Sequence, residues 1–476
     1  MRRVASRVFS LCVLIFILLH IVRQFLSLDW MVAVQACSAM GLLVSGLLLN
    51  ARASRTFSLA VSSIGLGMLA YDRSEFGSYL QAFLPLGDII VLVSLAHVLI
   101  LLLQIRQYAP HLLGILRQFV RDASQMSIWS SVLTHTIASA GSLTGLLIVY
   151  EMLRPGVIGP EPSRLTDPSA EPMVRRLSSA IIRGYALTVL WAPSSVPFAT
   201  AVSFTGASVL WVMIPGFLLA MCGLAFHAFL ERRAGPKSQS HFRWQDTQEA
   251  VSLESGQAVF ETKPSRVIEF FVVLATIILS IVIISQISSL SLLQVIPLVI
   301  LSVTVCVLLF SGQIGELFRI SKDYVREILP GKNQELVLLT ASGILVSAFD
   351  QTGTGLRLFE LLTRALEPLP IGMPSALAVT ILIIGLIGIP PLVITILVAT
   401  LMDPAMKAMS PELISLSIAS AICAGTMLTP NSVPLLVLSG LIQRTPFQAG
   451  LRWNLPFAVV FFVFTQIVIE IAWYFR

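Results

Sequence analysis

About eleven stretches of this chain stay apolar for nearly the whole depth of a bilayer, and that feature alone leaves few folds open. The hydrocarbon core takes roughly 20 helical residues to cross. Runs of that order lie near 8–27, 30–49, 56–71, 83–104, 128–153, 205–230, 266–288, 290–311, 334–352, 374–402 and 455–475. Water does not reach the backbone at that depth, so each segment must satisfy its own amides, as a helix does. Composition agrees: 56% of the 476 residues are hydrophobic and 12% charged, whereas about a quarter of a soluble domain is charged. Mean hydropathy is +0.88. The expected fold is an all-α polytopic membrane protein of about 11 transmembrane helices, multi-pass in a bacterial cytoplasmic membrane with the lipid bilayer as its surroundings.

Basic residues set the expected orientation. Met1-Arg2-Arg3 with Arg7, the pair Arg52 and Arg55, the stretch from Gln104 to Arg121, and Glu231-Arg232-Arg233 all flank apolar runs, and the positive-inside rule puts them in the cytoplasm. These loops account for the net charge of +6 without nucleic acid as a partner. Counting crossings puts 154–183 outside, against the rule, although it carries Arg154, Arg164, Arg175, Arg176 and Arg183. The run Val8–Leu19 behind the basic start has the layout of a signal sequence, but no small-x-small site follows, so it reads as an uncleaved first helix. Cys12, Cys37, Cys222, Cys306 and Cys423 are scattered singly, without metal-ligand spacing. They read as packing residues, and no cofactor beyond a coupling Na⁺ or H⁺ is expected.

Two further apolar stretches, 178–204 and 413–443, are broken in the middle and read as re-entrant hairpins. Their breaks match: Trp191-Ala192-Pro193-Ser194-Ser195-Val196-Pro197 against Leu428-Thr429-Pro430-Asn431-Ser432-Val433-Pro434. Upstream, Ala138-Ser139-Ala140-Gly141 is similar to Ala341-Ser342-Gly343. The extra apolar span 374–402 reverses direction in the second half, which predicts an inverted repeat with two hairpin tips meeting near the midplane. The expected organisation is N-terminal scaffold helices over 1–127, a first repeat over 128–230 with its hairpin at 178–204, and a cytoplasmic linker over 231–265. Scaffold helices and a cytoplasmic loop over 266–333 follow, then a second repeat over 334–476 with its hairpin at 413–443.

The breaks carry the expected chemistry. Paired prolines remove amide donors and interrupt the helix, leaving polar backbone that must line protein or a polar cavity. Ser194, Ser195, Thr429, Asn431 and Ser432 add neutral donors and acceptors there, suited to an oxyanion or to Na⁺. A single such break reads as a proline kink; two matched ones read as a substrate site.

The stretches Ala341-Ser342-Gly343 through Asp350-Gln351-Thr352-Gly353 and Gly425-Thr426-Met427-Leu428-Thr429-Pro430-Asn431-Ser432-Val433-Pro434 resemble the ion transporter superfamily of secondary carriers. That superfamily includes divalent-anion, citrate, gluconate, arsenite and some sodium/proton transporters. The resemblance spans roughly 128–230 and 334–475, without the Ser-Asn-Thr triplet of the dicarboxylate branch. It implies a scaffold and a moving transport domain, a homodimer, and elevator-like alternating access.

Ionisable groups at membrane depth are costly and default to functional candidates. Asp350 at a helix end and His135 within Thr-His-Thr join Ser342, Gly343 and Thr352 as ion-coupling candidates. Asp403 before a proline reads as a turn residue, and Arg183 and Arg357 read as snorkelling cations. The function expected is therefore a secondary active transporter of a small anionic solute, not an enzyme. A polytopic enzyme of lipid-linked glycan assembly would need an external loop rich in acid, base or metal ligands; 154–178 offers Glu161, Asp167 and Glu171 but no histidine. A non-transporting accessory subunit would tolerate changes at the tips.

Overall fold

In the computed structural model the described residues are 2–233, 264–354, 357, 364, 371–387 and 409–475, less 27, 51, 96, 97 and 160. Asp403 and most of the linker lie outside them. The helices of the first half are α1 (Arg2–Arg23), α2 (Asp29–Leu49), α3 (Arg52–Tyr71), α4 (Phe76–Gln81), α5 (Gly87–Leu95), α6 (Val98–Ile105), α7 (Tyr108–Phe119), α8 (Ala123–Gly141), α9 (Leu143–Val157), α10 (Glu171–Thr188), α11 (Val196–Thr205) and α12 (Val209–Arg233). Those of the second half are α13 (Pro264–Ile287), α14 (Leu292–Phe310), α15 (Ile314–Asp323), α16 (Asn333–Gln351), α17 (Met373–Ile387), α18 (Pro411–Leu428), α19 (Val433–Leu441) and α20 (Trp453–Tyr474). The chain is an all-α, multi-pass membrane protein. Along α20, Val459, Val460, Val463, Ile467 and Ile471 are exposed while Phe457, Phe461, Thr465 and Ile469 are buried, so one apolar stripe faces lipid and the other the protein.

Seven helical segments among the described residues are long and apolar enough to cross a membrane. Of the expected runs, 56–71 and 334–352 form the single helices α3 and α16, 374–402 passes beyond the described residues, and two others are not straight. The run 83–104 divides between α5 and α6. The run 128–153 breaks at Ser142, whose backbone takes φ 49° and ψ −137°. A positive φ costs a non-glycine residue about 1–3 kcal/mol, and here it reverses the chain, so that α8 and α9 pack against each other. Gly145 permits the close return, since a Cβ there would lie 2.5 Å from the Ala138 Cα.

The helices form two compact units. Among the described residues, one comprises those within Met1–Val98 and Leu293–Pro370. Within it α16 packs on α2 and α3; a Cβ on Gly46 would lie 2.2 Å from Val337 Cγ2, and Asn333 Nδ2 donates to Asn50 Oδ1 at 2.6 Å. The other comprises Leu99–Leu292, Ile371–Thr395 and Ala408–Arg476. It holds the α8–α9 hairpin and both matched breaks.

Around the breaks the helices differ from the expected hairpins. α10 and α11 do not pack on each other as α8 and α9 do; instead α11 lies along α18, and α19 touches α10. Thr205 Oγ1 near the end of α11 meets Ser415 Oγ near the start of α18 at 2.6 Å. Each break therefore interrupts a helix that continues onward.

The position of 154–183 is corrected in the same way. Arg176 Nε pairs with Glu231 Oε2 at 2.9 Å, and Gln448 Nε2 donates to Glu171 Oε1 at 3.2 Å. These bonds put the start of α10, the end of α12 and the chain after α19 at one end of the unit. Because α8 and α9 turn back rather than cross, 154–183 shares its side with Arg232 and Arg233, and its arginines obey the positive-inside rule. Cysteines placed at Ser163 and Thr445 in a background lacking the native ones are expected to react with an impermeant thiol reagent from the same, cytoplasmic side. Labelling from opposite sides would overturn this arrangement.

Candidate functional site

Each break is the same turn built twice. In the first, Ala192 N–H donates to Thr188 O at 2.8 Å, Ser195 N–H to Ala192 O at 2.9 Å, and Ala199 N–H to Ser195 O at 2.9 Å. In the second, Thr429 N–H donates to Gly425 O at 2.8 Å, Ser432 N–H to Thr429 O at 2.9 Å, and Leu436 N–H to Ser432 O at 2.9 Å. Proline at the second turn position fixes its φ, and the serine then caps a new helix in extended conformation, with φ/ψ −73°/120° at Ser195 and −68°/130° at Ser432. Pro197 and Pro434 stand in the first turn of that helix, where an N–H has no intrahelical partner to lose.

The likeness continues downstream. A Cβ on Gly216 of α12 would lie 2.0 Å from Leu190 O, and one on Gly450 would lie 3.0 Å from Met427 O. Each half thus brings a glycine against a carbonyl just before its break. The upstream similarity does not occupy matching places. Ala138–Gly141 forms the tip of the α8–α9 hairpin, whereas Ala341–Gly343 sits inside the continuous α16 of the other unit.

At the first break, Ser194 Oγ donates to Ser139 O near the hairpin tip. Trp191 Nε1 donates to His135 Nε2 at 3.0 Å, and His135 Nδ1 reaches Gly184 O at 3.1 Å. Both ring nitrogens are engaged, one as acceptor and one as donor, which fits a neutral imidazole protonated at Nδ1. Trp191 also meets Phe217 edge-on at 4.9 Å between centroids. Ser195 is 2% exposed and its Oγ has no hydrogen-bond partner among the described residues. At the second break Ser432 Oγ donates to Thr426 O at 3.0 Å, Asn431 is exposed, and Thr429, 0% exposed, has no partner for Oγ1 among the described residues. An orphaned buried hydroxyl costs about 1–3 kcal/mol, and the chain carries one at each break.

No family model matches this sequence, and no curated protein does. Among solved structures, the YdaH transporter of Alcanivorax borkumensis, whose crystal structure was described as having an unusual topology, is similar. The alignment covers 83% of this chain and 86% of that one, at 14% identity and a TM-score of 0.50. The chain has the fold of a membrane transporter. At that identity the likeness is one of architecture, and the chemistry has to come from this chain's own residues.

The remaining sequence candidates belong to the unit that does not hold the breaks. Ser342 Oγ donates to its own helix at Leu338 O, 2.8 Å away. A Cβ on Gly343 would meet Leu86 Cγ at 3.5 Å. Asp350 is exposed, and Thr352 Oγ1 meets Ala348 O at 2.7 Å and Thr354 Oγ1 at 2.8 Å. All four belong to the unit without the breaks; of the five coupling candidates, His135 alone shares the unit of the tips.

Arg183 is not a snorkelling side chain. It is buried, with Nε donating to Asn454 Oδ1 at 2.9 Å, Nη1 meeting His227 Nδ1 at 3.1 Å, Nη2 donating to Trp453 O at 3.3 Å, and Phe457 stacked 4.7 Å from its guanidinium carbon. The arginine fork joins α10, α12 and the start of α20. Sequence reasoning also missed Ser139 and Ser142. The run of small residues from Ala138 to Ser142 inside an apolar stretch is the signal that could have found them.

Proposed function

We propose that this chain is a secondary active transporter for a small anionic solute, coupled to Na⁺ or H⁺, with its site at the two matched breaks. The observation that carries the reading is the pair of unpartnered hydroxyls, Ser195 Oγ and Thr429 Oγ1, held inside an apolar unit at equivalent turns. A buried hydroxyl without a partner is costly, and a bound solute or ion would supply the missing bond. The N-termini of α11 and α19 open at the breaks, and free N–H groups there favour a negative group. The carbonyl-rich ends of α10 and α18 beside them suit a cation. The pairing of α11 with α18 and of α19 with α10 supports two broken helices running antiparallel, the layout of an inverted repeat. The fold shared with a transporter and the motif resemblance to the ion transporter superfamily point the same way, and that resemblance also implies a homodimer.

In this reading Ser194, Ser195, Thr429, Asn431 and Ser432 line the solute site, and His135 orients Trp191 at its edge. Uptake into proteoliposomes, across carboxylates and oxyanions under imposed Na⁺, proton and voltage gradients, tests it. Ser195→Ala and Asn431→Ala are expected to slow uptake about tenfold or more, roughly 1.4 kcal/mol of lost binding. Ser195→Ala removes an orphaned hydroxyl, so its melting temperature should match or exceed that of the parent. No solute movement by the parent protein, or full uptake by both variants, would sink the proposal.

A further inference from the structure

Glu470 is the single acidic residue of α20, and it lies one turn inside the aromatic end formed by Trp473, Tyr474 and Phe475. It is half-buried, and its Oε1 is buried without a hydrogen-bond partner among the described residues. One helical turn earlier, Gln466 is 9% exposed, and its Oε1 is likewise buried and unpartnered. Residues four apart share a helix face, and the neighbours show which face this is. Gln466 Nε2 donates to Ser420 Oγ of α18 at 2.9 Å. The Glu470 carboxylate lies against Gly372 at the start of α17, so close that a Cβ there would come within 2.2 Å of Oε2. Both orphaned oxygens thus turn inward, between α17, α18 and α20.

We infer that Glu470 and Gln466 form a proton-binding site. Two acceptors one turn apart and lacking donors are completed by a single proton. The proton arrives from water at the aromatic end, the Glu470 carboxylate takes it and becomes neutral, and the new O–H donates to Gln466 Oε1. Other titratable groups on the surrounding elements are sparse among the described residues. α17 has none, α18 has Glu412 in its first turn and the buried Cys423, and α20 has Tyr474. Arg183 and His227 face the opposite end of α20, at Trp453, Asn454 and Phe457.

That this proton drives solute movement rests on the carrier reading; that it binds does not. Infrared difference spectra of the full-length protein in lipid, taken at high and at low pH, read the carboxylic-acid C=O stretch directly. The parent protein should show a titrating band that is absent from Glu470→Gln. In Gln466→Leu, which keeps the carboxyl but removes its acceptor, the band should move to higher frequency. A carboxylate that stays ionised throughout, serving only as a cap for the first turn of α17, would overturn the inference. So would a carboxylate band that responds at fixed pH to Na⁺ in place of choline. If the band is present and no solute moves, the carrier reading falls and the proton site stands. If the band is absent and uptake persists, the reverse holds.

Discussion

Gly216→Val is expected to leave little folded protein. The added Cβ would stand 2.0 Å from Leu190 O and 2.8 Å from Leu190 C, and both are backbone atoms of the last residues before a break, fixed by the turn that follows. Overpacking a core costs about 1–3 kcal/mol when side chains can yield, and more when they cannot. The expected loss is therefore at or above ~3 kcal/mol, seen as a collapsed monodisperse peak in detergent size exclusion and a lowered midpoint of thermal unfolding. Gly450 supplies the contrast. Its added Cβ would come closest to Leu435 Cδ2, a side-chain atom at 2.4 Å, and stay 3.0 Å from Met427 O, so Gly450→Ala should be milder. Equal behaviour of Gly216→Ala and parent protein would show that α12 does not approach the break as closely as described.

Arg183→Ala is the second substitution with a large expected effect. It strands Asn454 Oδ1, His227 Nδ1 and Trp453 O, which the guanidinium now satisfies, and it empties the space over Phe457. Each buried polar group left unsatisfied costs about 1–3 kcal/mol. Arg183→Lys keeps the charge but cannot reproduce a planar fork that reaches three acceptors, so the order of thermal stability should be parent, lysine, alanine. A difference between parent and alanine below about 0.5 kcal/mol would show that the network is not closed in the membrane.

Much of the architecture is legible in the chain because the bilayer makes the rules strict. An apolar run such as Pro264–Ile287 has one way to satisfy its backbone, and it is a helix of 24 residues. The breaks at Pro193 and Pro430 are legible for a similar reason: proline acts on the residues beside it, and matched local sequence gave matched turns down to each backbone hydrogen bond. Ser142 was not legible. Nothing in its side chain forbids a helix, and its positive φ is imposed by α9 packing back on α8 across Gly145. Missing that one reversal put 154–183 on the wrong side. The pairing of Ala138–Gly141 with Ala341–Gly343 failed for a related reason, since small residues serve a hairpin tip and a tight helix contact equally well.

The sequence by itself determined that this protein lives in a membrane, that it is helical, and that two equivalent turns interrupt its helices, because solvent and proline both act locally. Tertiary structure alone decided which runs cross and which turn back. It also decided that the two breaks share a unit, that Arg183 is a buried fork rather than a surface cation, and that Ser195, Thr429, Gln466 and Glu470 have oxygens unpaired among the described residues. Those facts depend on which atoms stand within 3.5 Å of each other after packing, and residues hundreds of positions apart settle that.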